Sequence, residues 1–503
     1  MFNFDILYGA STAATRMFGP RDGVPSLLDR CASFIVTSWH VTRASLNVLP
    51  HDLYEVLLGE ACQALLSYRS GTPGLFLTYI VQRWPSVVLK PGSLIWRYRL
   101  DVKNNKKTSE LVMHIVNGIC QPESQCKLTM VDLSDIPMNG STCLILLQKV
   151  FASLNGRSLT VVLDLALDAE NYHPIRRLLR DVRHCKNGSL KVQCRRLTVN
   201  SLGKDKLLKV TGLVEPDIIV ALNLDWNNLE EQGLSAVLPS MVKFLNLQAL
   251  SLSYNLISTI KDQTVVPMAA EAFSNLKHLR RLSLSHNALT GSLRTLLESL
   301  HQPLQALYLC ECKLSSPDLS YLANSRHAKT LQELDLGFNS LKHEALSLEK
   351  LLNEAGHTLQ YLSLDNTRLN LTGCPVKLWK RLSHRLPTLI ALSMRGNDFS
   401  PENQVTILKD LAENAHSMVY IGVCMVYEPV IEDDFFMDEW DDVSNDRVTQ
   451  FFDLYNECKE QEEPEEPTTS NNKTRSVIVH DLDVINKRDA LIFIHNLYEE
   501  QSP

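Results

Sequence analysis

Cysteines paired at metal-ligand spacing are missing from this chain. Its twelve cysteines, at 31, 62, 120, 126, 143, 185, 194, 310, 312, 374, 424 and 458, never form C-x-x-C. With no such pair the pattern points to a reduced intracellular protein without structural zinc, although an even count leaves disulfides open. No apolar run is long enough to span a bilayer, and the first thirty residues carry Asp5, Arg16, Arg21 and Asp22 in place of a basic start followed by an apolar core. Glycine and proline number 20 and 21 in 503 residues, too few for a collagen-like or low-complexity chain, and 45% hydrophobic residues exclude wholesale disorder.

Catalytic and nucleotide-binding signatures are also missing. There is no G-x-x-x-x-G-K-[ST]; Gly203-Lys204 lacks both the preceding glycine and the following hydroxyl. H-E-x-x-H, G-x-S-x-G and G-x-G-x-x-G do not occur. The expectation is therefore no enzyme, no cofactor and no metal site.

Charge is unevenly placed. Residues 428 to 467 hold sixteen Asp/Glu against Arg447 and Lys459, a local charge of −14, so the rest of a chain with net charge −7 sums to +7. That surplus is slight for so large a body, and apart from KVQCRRL at 191–197 and KNNKK at 103–107 the basic residues are dispersed, which argues against nucleic acid as a partner. The acidic stretch reads as a solvated tail; occupation of a basic array by that tail is the alternative.

What is present in abundance is a repeat. LQALSLSYNLI at 247–257, LRRLSLSHNAL at 279–289, LQALYLCECKL at 304–314, LQELDLGFNSL at 331–341, LQYLSLDNTRL at 359–369 and LIALSMRGNDF at 389–399 begin 32, 25, 27, 28 and 30 residues apart. Spacing and frame, L-x-x-L-x-L-x-x-N-x-L, are those of a leucine-rich repeat. The frame extends upstream to IIVALNLDWNNL at 218–229, and more faintly to Cys194, Leu197 and Val199, to Leu163 with Leu165, and to Leu128 with Val131 and Leu133; Met418, Ile421 and Val423 would add a last strand.

Period two within each short strand assigns the faces. Leu334 and Leu336 point inward, whereas Tyr308, Glu333, Asp335, Tyr361 and Arg395 fall on the outward phase and become the candidate concave-face contacts for a protein substrate. Asn255, Asn287, Asn339 and Asn397 stand where the chain leaves the strand and can satisfy turning backbone groups. Cys312 and Thr367 replace them in two repeats, where a looser turn is expected. LEKLLNEAG at 348–356, VTILKDLAENA at 405–415 and SLRTLLESL at 292–300 carry helical stripes, the first ending at Gly356 as a helix stop. The fold class expected is α/β, a leucine-rich repeat solenoid of ribonuclease-inhibitor-like horseshoe form with an N-terminal helical cap.

Ahead of the repeats, PSLLDRCASFIV at 25–36 and VLPHDLYEVLLGEACQALL at 48–66 read as amphipathic helices, each with a proline near its start. Here the chain resembles a known family. Ser26-Leu27, Cys31 and Ile35 resemble the elongin C-binding BC box, and Leu49-Pro50, Leu53 and Leu57 look like the adjoining cullin-2 box. The second helix, followed by LFLTYIVQRWPSVVL, is similar to the opening of the PRAME and leucine-rich repeat-containing protein 14-like family, substrate receptors of cullin-2 ubiquitin ligases.

The resemblance implies a non-catalytic substrate adaptor in the ubiquitin conjugation pathway. Its partners would be elongin C with elongin B, cullin-2, an RBX subunit and a protein held on the repeats, and its place the cytoplasm, the nucleus or both. A stoichiometric scaffold or inhibitor without ligase assembly is the rival reading. The expected organisation is an N-terminal segment 1–24, a BC-box/cullin-2-box module 25–90, the repeats 100–427, an acidic linker 428–475 and a short C-terminal element 476–503. The tail beyond 428 departs from the family pattern.

Overall fold

The computed structural model describes residues 31–32, 35–36, 46, 53–67, 72–91, 105–369 apart from 123, 135, 137, 155–156 and 185–189, then 385–399 apart from 395 and 398, and 403, 407 and 420–422. The helix expected at 405–415, the acidic linker and the C-terminal element fall outside the described residues, apart from Ile407. The chain divides into two compact units, 1–228 with 239–251, and 229–238 with 252–503.

In the first unit, α1 (Leu53–Ser67), α2 (Thr72–Gln82) and α3 (Asn105–Cys120) precede the regular alternation and pack on one another. Leu58, Ala61, Leu77, Ile80, Leu111 and Ile115 have no exposed surface. A short strand, β1 (Val88–Leu89), follows α2 and pairs in parallel with β2 (Met130–Asp132), so the sheet opens ahead of residue 100. The Arg-Trp-Pro step builds this entry. Arg83 stacks over Tyr79 at 3.7 Å, and Trp84, itself buried, donates its indole N–H to the Val88 carbonyl at 3.0 Å.

Beyond them the unit alternates α4 (Gly140–Ser153), β3 (Leu159–Leu167), α5 (Tyr172–His184), β4 (Leu190–Val199), α6 (Lys204–Thr211), β5 (Ala221–Asn223) and β6 (Ala249–Ser251). All paired strands are parallel and neighbours in chain order. Asn139 caps α4, its side-chain oxygen accepting from the Thr142 amide at 2.8 Å.

The second unit repeats the alternation with shorter parts: α7 (Glu230–Met241), whose first residues belong here, then α8 (Val265–Ser274), β7 (Arg281–Ser283), α9 (Leu293–Glu298), β8 (Ala306–Tyr308), α10 (Ser316–Asn324), β9 (Glu333–Asp335), α11 (Ala345–Ala355), β10 (Tyr361–Ser363), β11 (Ala391–Ser393) and β12 (Tyr420–Gly422). Strands β7 to β12 are again parallel chain neighbours, so the sheet is open and the fold is the expected leucine-rich repeat α/β solenoid. Leu331, Leu334, Leu336 and Leu341 have no exposed surface, and each such leucine stabilises its repeat by about 2 kcal/mol.

The asparagines bind neighbouring repeats together. Asn339 Nδ2 donates to the Leu309 carbonyl of the preceding repeat at 2.8 Å and to Leu336 of its own at 2.9 Å, while its Oδ1 accepts the Cys312 and Leu314 amides at 3.1 Å. Asn287 and Asn397 act alike in the second unit, and Asn227 in the first. No looser turn marks the two exceptions. The Cys312 thiol donates to the Leu284 carbonyl and the Thr367 hydroxyl to Leu364, and the main-chain carbonyls of Cys312 and Thr367 accept the Leu289 and Leu341 amides instead.

Gly356 closes α11 as expected, but for another reason. Its φ of −57° is ordinary right-handed helix, and a Cβ there would lie 1.9 Å from the Arg385 carbonyl oxygen. Close approach, not a left-handed cap, requires glycine at this position.

Candidate functional site

On the strand face of the second unit, strand register brings outward residues into rows. Arg281, Ala306, Glu333, Tyr361 and Ala391 are successive partners in one row; Ser283, Tyr308, Asp335, Ser363 and Ser393 form the next. Each long polar side chain can therefore reach only its own row or the one beside it.

Arg281, which the repeat pattern did not single out, organises this surface. Its guanidinium donates to both Glu333 oxygens at 3.0 and 2.7 Å and to the Tyr308 hydroxyl at 2.9 Å, and Tyr308 also donates to Glu333. Burial works against the Arg281 charge, but Glu333 and Tyr308 outweigh it and hold the pKa above its ordinary value. The same burial drives the Tyr308 pKa well up.

Tyr308 is thus on the expected phase but lies buried, 7% exposed, within a hydrogen-bonded network. Asp335 is also buried, at 8%. Its carboxylate accepts the Gly337 amide at 2.9 Å, and burial pushes its pKa up to about 6 against the lowering effect of that bond. Glu333 and Tyr361 are half-buried, and Arg395 lies outside the described residues. The structure brings Tyr308 and Glu333 together, with Asp335 beside Tyr308 in its row. A sequence pattern offers no local sign of the Arg281 link, because Glu333 follows Arg281 by 52 residues.

The first unit holds its own arginine on the strand face. The long strands β3 and β4 shift register between Leu163 and Asp164, and the shift places Arg196 opposite Asp164, with Nη1 to Oδ2 at 3.0 Å; both residues are buried.

At the N-terminal end of this unit, Cys31, Ala32, Ile35 and Val36 are helical. Ala32 and Val36 are buried at 3% and 2%, whereas Cys31 is exposed and Ile35 half-buried. The buried and outward edges are thus one residue out of phase. In α1, Leu57 is 2% exposed and packs within the chain, while Leu53 is half-buried. Ser26, Leu27, Leu49 and Pro50 lie outside the described residues.

Burial pushes the Cys62 and Cys143 thiols up to about 12 and raises those of Cys310 and Cys312, so none is a thiolate nucleophile at neutral pH. No cluster of His, Cys, Asp and Glu could hold a metal ion, and no helix is long and apolar enough to cross a membrane, among the described residues.

Comparison with known proteins adds the lineage. The chain is 26% identical over 455 residues to leucine-rich repeat-containing protein 14 of Xenopus laevis, covering 78% of this chain and 87% of that protein. It is 28% identical over 260 residues to the Homo sapiens protein of that name, about half of each chain. With PRAME family member 12 of Homo sapiens it shares 27% identity over 372 residues, 68% of this chain and 73% of the relative. Among solved structures, the leucine-rich repeat-containing protein LegL7 from Legionella pneumophila matches with 19% identity and a TM-score of 0.35 over 58% of this chain and 90% of that one. The family model for the PRAME C-terminal domain matches residues 159–422, more than half of the sequence, and the chain belongs to the PRAME family.

Proposed function

We propose that this protein is a non-catalytic substrate adaptor: its first helix engages elongin C with elongin B, the segment around α1 meets cullin-2 with its RBX subunit, and the repeat strand face holds a protein to be ubiquitylated. The observation that carries this reading is the division of labour at 31–36. Ala32 and Val36 anchor the helix to its own chain, which leaves the edge bearing Cys31 and Ile35 turned away from that core.

Such an edge suits a partner pocket. In sequence, Ser26 and Leu27 precede Cys31 at the spacing of the BC box, and Leu27 is the side chain assigned to that pocket. In the cullin-contacting segment, Leu49, Pro50 and Leu53 serve as contacts while Leu57 holds α1 in place from inside. The adaptor performs no chemistry; it raises the concentration of a substrate lysine near the charged conjugating enzyme. It acts in the cytoplasm or nucleus.

Affinity purification with mass spectrometry tests the proposal. The intact chain is expected to recover elongin C and cullin-2, and a Leu27→Ala, Cys31→Asp double variant to recover neither. Equal recovery by both would refute the adaptor reading, and partner capture without elongin C would favour a stoichiometric scaffold.

A further inference from the structure

We propose that the row Tyr254, His286, Glu311 and Phe338, at the strand exits of the second unit, receives an extended lysine- or arginine-bearing segment of a partner protein. The inference deepens the reading above and rests on its assignment of the repeats as the substrate-holding surface.

The four residues occupy one position in successive repeats, just before the ladder residue. All have left-handed backbone, with φ of 55°, 58°, 53° and 58°. That conformation favours glycine or asparagine, and the following repeats supply Asn366 at 54° and Gly396 at 64°. Local geometry therefore selects against tyrosine, histidine, glutamate and phenylalanine here. What these side chains face is left to account for their presence.

Main-chain bonds hold the row in register: the Tyr254, His286, Glu311 and Phe338 amides donate to Ser285, Cys310, Gly337 and Asp365 at 3.0, 2.7, 2.8 and 2.7 Å. Neighbouring members are thus about 4.8 Å apart. The Tyr254 and His286 rings stack with centroids 3.7 Å apart at 16°, and His286 Nδ1 lies 2.9 Å from Glu311, whose side chain is 55% exposed.

The charge beside the rings is negative. Asp335 stands three residues before Phe338 and Asp365 one residue before Asn366, while Arg281 is committed to Glu333. Burial raises the pKa of Cys310 first, and then Asp335, Glu311 and Asp365 each raise it further. Lys313 and Arg368, both exposed, lie two residues farther along their repeats, at the next turn position.

Ring faces next to carboxylates match lysine and arginine, which combine cation–π contact with ion pairing. The chain's own stretch 428–467, with a charge of −14, has the wrong sign for this row, so the occupant is a basic partner segment and not the acidic tail.

Fluorescence anisotropy with the full-length chain tests this, using short labelled Lys/Arg-rich peptides and a matched Glu-rich set as probes. The basic set is expected to bind in a salt-sensitive manner and the acidic set to remain free. Glu311→Lys, an exposed change that spares the core, should weaken basic-peptide binding about tenfold, and Phe338→Ser should weaken it independently. The inference is overturned if the intact chain ignores the basic set, prefers the acidic one, or loses no affinity in either variant. Elongin C recovery is scored separately: its loss with peptide binding intact counts only against the adaptor reading, and the reverse only against this row.

Discussion

Among the described residues each unit buries one arginine on its strand face, and the two are accommodated differently. In the first, β3 and β4 run for nine and ten residues, and a register shift is needed to set Arg196 against Asp164. In the second, three-residue strands stay in register, and Arg281 extends along its own row past Ala306 to reach Glu333 two strands away, gathering Tyr308 on the way. Short strands in strict repetition let a single guanidinium join three repeats. Long strands place a charge pair only where the ladder breaks.

If this contrast is right, Glu333→Ala has the largest effect. It leaves the buried Arg281 charge without its carboxylate and should cost about 3–5 kcal/mol, read from urea denaturation. Asp164→Ala, which removes the carboxylate that Arg196 Nη1 meets at 3.0 Å, should cost a similar amount; a clearly larger loss there would make the register-shifted pair the stronger of the two. Tyr308→Phe keeps the ring and removes one hydroxyl, so about 1 kcal/mol is expected.

A smaller effect separates the strand face from the turns behind it. His327, fully buried, accepts the Leu304 amide on Nδ1 and donates from Nε2 to the Leu297 carbonyl, both at 3.1 Å, and burial lowers its pKa below the usual 6.5. A lowered folded pKa means that the unfolded chain takes the proton first. The stability His327 contributes is complete above about pH 6.5 and is lost as pH falls below it.

Asp335 works in the opposite sense. With its pKa raised from 3.8 to about 6, the native chain takes the proton first, and stability declines as pH rises through that interval. Denaturation midpoints between pH 4 and 7 should show the Asp335 slope vanish in Asp335→Asn and the His327 slope vanish in His327→Gln. The smallest change expected is Glu311→Gln, where the pair with His286 is half in solvent and worth under about 1 kcal/mol.

The strands were legible wherever the frame was, because two inward leucines at period two leave little choice of face. Even the faint candidates near Leu163, Cys194 and Val131 are strands. Val88–Leu89 escaped notice because a two-residue strand has no period to read. Outward phase was also readable, but not accessibility. Tyr308 and Asp335 fall on the outer side as expected and are nonetheless enclosed by Arg281, Glu333 and Ser363, partners supplied by other repeats. The left-handed row was hidden for a similar reason: the frame aligns its members just before the ladder residue, but they share no chemistry, and only their backbone angles set that position apart.

The asparagine ladder gives the array a direction. Each amide oxygen closes the open N–H groups of the repeat before it, so every unit waits for its successor to be completed. On a ribosome, a newly emerged repeat would keep those amides in water until the next 25 to 32 residues had been added. Nascent chain would therefore settle one turn of the coil behind synthesis, and a premature stop anywhere in the array would strand its last turn unfinished.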